Sequence, residues 1–190
     1  MGCSGSGKTT LAARVAERTG AAHVELDSLF HLDGWTPNPH MRRDVEAALA
    51  TAHWVCDGNY RVVADLVQTR ADTIVVLDPP RRRVMAQIVP RTLARSFLRR
   101  ELWNGNRESI ANLLRWDPER NIIRWAWTRH RPLRLRHLEA HGSGDWDHAE
   151  VVWLRTRRET DRWLNSLEPL DRRNRRARGG QPNAQPSPER

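Results

Sequence analysis

Residues 2–9 read Gly-Cys-Ser-Gly-Ser-Gly-Lys-Thr, and Thr10–Gly20 follow as an amphipathic run that ends on a glycine. Glycines at 2, 5 and 7 open backbone conformations closed to other residues, so that successive N–H groups can converge at the head of a helix. Such a ring of amides is an anion cradle, and the spacing satisfies G-x-x-x-x-G-K-[ST] in full. The chain must therefore place a tight glycine loop against a helix N-terminus. A loop of this kind normally follows a buried strand, yet only Met1 precedes Gly2. The expectation is an open reading frame that starts about six to ten residues further upstream, the length of one strand. Without that strand the sheet lacks a central member and its neighbours keep unpaired backbone groups.

The residue types in the loop suit a triphosphate. Of 32 basic residues 31 are arginine and one is lysine, Lys8. A compact ammonium reaches β- and γ-phosphates where the broad guanidinium fork would not fit, which explains a single surviving lysine at this place. The cradle is expected to comprise Gly2, Cys3, Ser4, Gly5, Ser6, Gly7, Lys8, Thr9 and Thr10. Thr9 would offer its hydroxyl to Mg²⁺ and Thr10 would reach an α-phosphate oxygen.

Length and composition bound the rest. One domain plus a tail fits 190 residues, with 38% hydrophobic and 29% charged residues as in a soluble globular protein. No apolar run approaches the roughly 20 residues of a membrane span. No export leader is legible, so the expected place is the cytoplasm, with no membrane partner. Cys3 and Cys56 are too few for a disulfide scaffold and lack metal-site spacing; inert reduced thiols are expected. The net charge of +9 favours polyanionic partners, and residues 168–190 contribute six arginines against three acids, or +3 of that total. That tail, rich in Arg, Pro, Gly, Gln and Asn, is expected to be disordered and basic.

Over residues 1–167, short apolar runs alternate with longer amphipathic stretches, the pattern of an α/β fold with a parallel sheet. Strands are expected at His23–Leu26, Trp54–Cys56, Thr73–Leu77 and Val151–Leu154. Helices are expected at Lys8–Thr19, Pro39–Ala50, Arg81–Arg100, Pro118–Ala140 and Arg158–Ser166, with kinks or breaks at Pro90 and Pro132.

Ligands of open parallel sheets bind beyond the carboxyl ends of the strands, where Asp27, Asp57 and Asp78 stand. Asp57, ending WVCD, is placed to orient Mg²⁺ and its waters; a helix or turn cap is the competing reading. Asp27 could take a proton from, or orient, the group that receives a phosphoryl. Asp78, followed by two prolines, reads as a turn cap.

The ordered landmarks GCSGSGKTT, HVELDSLF, Gly34-Trp35, DGNYR and ADTIVVLDPP resemble the adenylate-kinase-like P-loop proteins of the DNA topology modulation type, over roughly residues 2–167. The resemblance implies a P-loop NTPase three-layer sandwich of nucleoside-monophosphate-kinase type, here with its first strand missing from the chain. It further implies ATP with Mg²⁺ and a mobile arginine-rich lid. DGNYR is similar in spacing to the DGFPR segment of adenylate kinases, which implies that Arg61 contacts the acceptor phosphate and Asp57 lies on the metal side. Asn59 and Tyr60 depart from that pattern, and no counterpart of an AMP-specific pocket is legible.

The lid is expected around residues 91–117. Arg91 and Arg95, spaced i,i+4 after Pro90, share one helix face and are the candidates for γ-phosphate contacts, ahead of Arg99, Arg100 and Arg107. Trp116, Trp125 and Trp127 lie among arginines, a pattern that could stack bases and grip phosphates. The competing reading makes Ile122, Ile123, Ala126, Trp127 and Leu133 one buried stripe, with Trp125 off it. The histidines show no ligand spacing.

These features point to a Mg²⁺-dependent ATP phosphotransferase, with Lys8, Asp27, Arg61, Arg91 and Arg95 in catalytic roles and Thr9 and Asp57 on the metal. The acceptor would be a small molecule or nucleotide. The alternative is a nucleic-acid-associated ATP-binding regulator with little kinase activity.

Overall fold

The computed structural model describes residues 1–97, 103–106 and 121–170, the side chains of 95–97 excepted. The order is α1 (Lys8–Thr19), β1 (Ala22–Glu25), α2 (Leu26–Phe30), α3 (Met41–Ala48), β2 (Trp54–Asp57), α4 (Ala64–Arg70), β3 (Thr73–Leu77), α5 (Arg81–Phe97), α6 (Ile122–Gly142), β4 (Glu150–Leu154) and α7 (Arg157–Ser166). Short 3-10 turns occupy Asp33–Trp35, Arg61–Val63 and Trp103–Gly105.

The fold is mixed α/β with two parallel pairs of strands. β1 pairs with β2, Ala22 opposite Trp54 through Glu25 opposite Asp57, and β3 pairs with β4, Thr73 opposite Glu150 through Leu77 opposite Leu154. Helical segments connect the partners, as parallel pairing requires. Alternation along β3 sends side chains to two buried faces. Leu77 joins Leu11 of α1, Leu154 and Leu164 of α7, whereas Ile74 and Val76 meet Trp146 beyond α6. The β1–β2 pair has its own core, Val24 and Leu26 against Met41, Val45, Val63 and Leu66. A fourth cluster joins Cys3 of the glycine loop to Val84 and Ile88 of α5 and Ala126 of α6.

Between the two pairs lies a cavity of about 560 Å³, lined by Val55 and Cys56 of β2, Ile74 and Val75 of β3, Leu11 of α1 and His137 of α6. The amino end of the chain enters it. The Met1 ammonium donates to the Val75 carbonyl, the Met1 carbonyl accepts from Leu77 N–H at 2.9 Å, and Gly2 bridges Leu77 in parallel sense. Asn59 Nδ2 donates to the Gly2 carbonyl from the β2 side. Met1 and Gly2 thus join β3 to the segment that follows β2. Burial drives the Met1 amine down from its ordinary 8.0 to about 5, with Lys8 acting in the same direction.

Several sequence expectations shift. The predicted His23–Leu26 strand stops at Glu25, and Leu26–Phe30 is helical. α5 and α6 run through Pro90 and Pro132 without being split. Trp127 does not belong to the buried stripe: it is 50% exposed with the Arg81 guanidinium 3.9 Å above its ring, while Ala126 is fully buried and Ile122 and Leu133 pack beside it. Asp78 takes two guanidinium groups, Arg134 Nε at 2.9 Å and Arg155 Nε at 3.5 Å, rather than serving as a simple turn cap. Lid residues 98–102 and 107–117, with Trp116, and tail residues 171–190 lie outside the described residues. Among the described residues no helix is long and apolar enough to cross a membrane.

Candidate functional site

The glycine loop closes on itself and on the strand ends. Ser6 N–H donates to the Cys3 carbonyl at 3.1 Å, and Gly7 sits at φ 94° as the residue that opens α1, with no side chain capping the helix. No side chain takes the first amides of α1, and the helix dipole favours negative charge there. Gly2 cannot be enlarged: a Cβ would stand 2.6 Å from the Leu77 carbonyl oxygen and 2.9 Å from Ser6 Oγ. That Oγ is buried and has no hydrogen-bond partner. Cys3 is buried with Sγ 3.5 Å from the Ala126 carbonyl, while Thr9 and Thr10 are exposed at the head of α1.

Lys8 folds back over the loop, its Nζ donating to the Cys3 carbonyl at 3.2 Å. Burial pulls the ammonium below its usual range, and the carboxylates of Asp27 and Asp57 oppose that pull. The Arg91 guanidinium also acts on Lys8, from α5. The loop lysine, the acids after β1 and β2 and one expected arginine are thus within electrostatic reach of one another. Arg95 carries no described side chain. Arg61, expected on an acceptor phosphate, stands exposed at the head of its 3-10 turn.

Asp57 closes β2 and is 5% exposed, with Oδ2 lacking a hydrogen-bond partner and His23 Nε2 3.6 Å away. Its register partner is Glu25. Burial raises the Glu25 carboxyl, and Asp57 and Asp27 raise it further against a hydrogen bond from Trp103. Asp27 follows in the first turn of α2 and accepts from Tyr60 Oη at 2.7 Å. With that proton committed, the phenol oxygen accepts from His31 Nε2 at 3.3 Å, which leaves His31 Nδ1 buried and unpaired. Burial holds His31 toward its neutral form and lifts the Tyr60 phenol far above its ordinary range.

Asn59 and Tyr60, which depart from the DGFPR pattern, are therefore structural parts of the site. Asn59 ties the strand end to the glycine loop, and Tyr60 ties it to Asp27. A wall of rings continues outward. Phe30 lies 4.5 Å from Tyr60, and His31 lies 5.0 Å from Trp35 and 6.2 Å from Trp103 between ring centroids. Trp103–Asn106 straps this wall down. Asn104 Nδ2 donates to the carbonyls of Ser28 (3.1 Å) and His31 (2.6 Å), and Asn106, 3% exposed, bonds Trp35 N–H and the carbonyls of Leu32 and Trp103 at 2.7–2.9 Å. The sequence signal for the strap was its Asn-Gly-Asn turn chemistry, which is hidden inside an arginine-rich stretch.

Both thiols are held protonated by burial, Cys56 pushed up to about 12 and Cys3 raised. Among the described residues no group of three or more His, Cys, Asp and Glu is gathered as metal ligands. Comparison with protein-family models, with curated proteins and with solved structures finds no match for this chain.

Proposed function

We propose that the protein is a Mg²⁺-dependent ATP-binding phosphotransferase of the P-loop kind, in a three-layer sandwich whose sheet has one central place open. The observation that carries this reading is the convergence on one helix head of an uncapped glycine loop, the only lysine of the chain and the carboxylates of Asp27 and Asp57. The uncapped amides and the Lys8 ammonium would hold the β- and γ-phosphates of the nucleotide. A buried Asp57 oxygen with no hydrogen-bond partner and the exposed Thr9 hydroxyl fit Mg²⁺, which commonly rests on one or two protein oxygens plus substrate phosphates. Bound there, the ion would neutralise charge that builds on the phosphates. Asp27, fixed by Tyr60, would orient the acceptor and hold its proton, and Arg91 would approach the γ-phosphate.

Calorimetry with Mg²⁺ and ATP tests the reading. The chain should bind with measurable heat, and Lys8→Ala should weaken affinity at least tenfold and cut turnover by about 10²–10³, the scale for losing one aimed charge. Absence of heat with purine triphosphates on the folded protein sinks it.

Trp127, exposed under Arg81, and Trp125, with Arg129 4.6 Å from its ring, favour a second reading in which α6 meets nucleic acid. DNA binding of that kind would survive Lys8→Ala and fall steeply with salt.

A further inference from the structure

Given the phosphotransferase reading, we infer that the acceptor is a hydroxyl on a polyhydroxylated ring that is neutral or carries an amine, and that it is not a phosphorylated metabolite. Phosphate acceptors need cations on the acceptor side, and among the described residues those held beside Asp27 are Glu25, Tyr60 and aromatic rings, with His23 placed against Asp57. The parallel register sets Glu25 beside Asp57 at the carboxyl ends of β1 and β2, and Asp27 follows two residues after Glu25. Each of these carboxylates acts on Tyr60, and Glu25 is raised by the other two. The Lys8 ammonium belongs to the donor side through its bond to the loop. With Asp57 left to the metal, Glu25 and Asp27 set the charge of the acceptor side, and Arg61, which also lines the cavity, stands exposed.

The walls agree with the charge. Phe30, Tyr60, His31, Trp35 and Trp103 present a run of rings beside Asp27, a surface that stacks on the apolar face of a sugar-like ring and attracts an ammonium group. Trp35 is 37% exposed, and the buried Asn106 fixes the backbone that carries its ring by accepting from Trp35 N–H.

The chemistry balances without a further reagent. Tyr60 occupies one oxygen of Asp27, and the other receives the proton of the acceptor hydroxyl. The acceptor oxygen forms a bond to the γ-phosphorus as the bond to the bridging oxygen breaks, ADP departs with that electron pair, and the proton passes from Asp27 to water.

Tryptophan fluorescence titrations with matched pairs decide the matter: glucosamine against glucosamine 6-phosphate, myo-inositol against its monophosphate, and adenosine against AMP. Each is run with and without a non-hydrolysable ATP analogue. In at least one pair the unphosphorylated member should bind tenfold or more tightly than its phosphate, and Asp27→Asn and Trp35→Ala should each weaken that binding at least fivefold. A phosphorylated member that binds as well or better, or no binding by any member, overturns the inference. Because the titration without nucleotide reads the acceptor side alone, a failure to bind ATP in calorimetry counts against the phosphotransferase reading separately.

Discussion

His137, 4% exposed on α6, faces the cavity between the strand pairs and lies 6.0 Å from the ring of Trp146. Burial drives its imidazole from 6.5 down to about 4. Between those two values the unfolded chain binds a proton that the folded chain refuses, so stability rises with pH across that window and is lost as pH falls through it. The swing is about 3 kcal/mol. Urea titrations at pH 4 and 7 should show it on top of the Met1 amine's contribution of the same sign, and His137→Phe should reduce the slope between them without abolishing it. An unchanged slope would mean that the imidazole charges freely inside the fold. At this scale the sequence was most legible where chemistry restricts the residue type. Lys8 stood out because arginine replaces lysine everywhere else, and Asp27 and Asp57 stood out by ending apolar runs. Tyr60 and Asn59 were not legible as site parts, because their bonds reach residues 33 and 57 positions away.

Among elements, α1 and β3 have the boundaries expected from their periodicity, since each is bounded by turn residues and packs one clear face. α4 is not legible in the sequence, because its seven residues are too few to show a helical period. Trp127 lies outside the buried stripe because helical spacing marks a stripe without saying how wide the neighbouring layer is. The Trp103–Asn106 strap is where element and site meet. Asn106 holds three backbone groups from the interior, so Asn106→Ala should destabilise the chain by about 1–3 kcal/mol through the partners it orphans. Chemical denaturation gives the loss, and accelerated amide exchange at Trp35 assigns it to the strap. Full protection at Trp35 in that variant would dismiss the strap as decoration.

For the molecule as a whole, the alternation of apolar runs and amphipathic stretches foretold parallel α/β pairing, and the four strands fall where that pattern put them to within two residues. The two separate pairs reflect backbone edges of β2 and β3 that face a cavity instead of each other. Four or five β-branched residues fused ahead of Met1 would run along β3, pair its free groups and fill the space. Tm should rise by roughly 2–4 °C for each kcal/mol gained, whereas a Gly-Ser stretch of equal length should give no rise. Equal melting of the two fusions would show that the space does not accept a strand.

The inward course of Met1 also carries a practical lesson for anyone handling this molecule. A spin label or fluorophore carried on the residue that joins Met1 to whatever precedes it would report from the interior beside Val75 and so read the packing of the strand pairs directly.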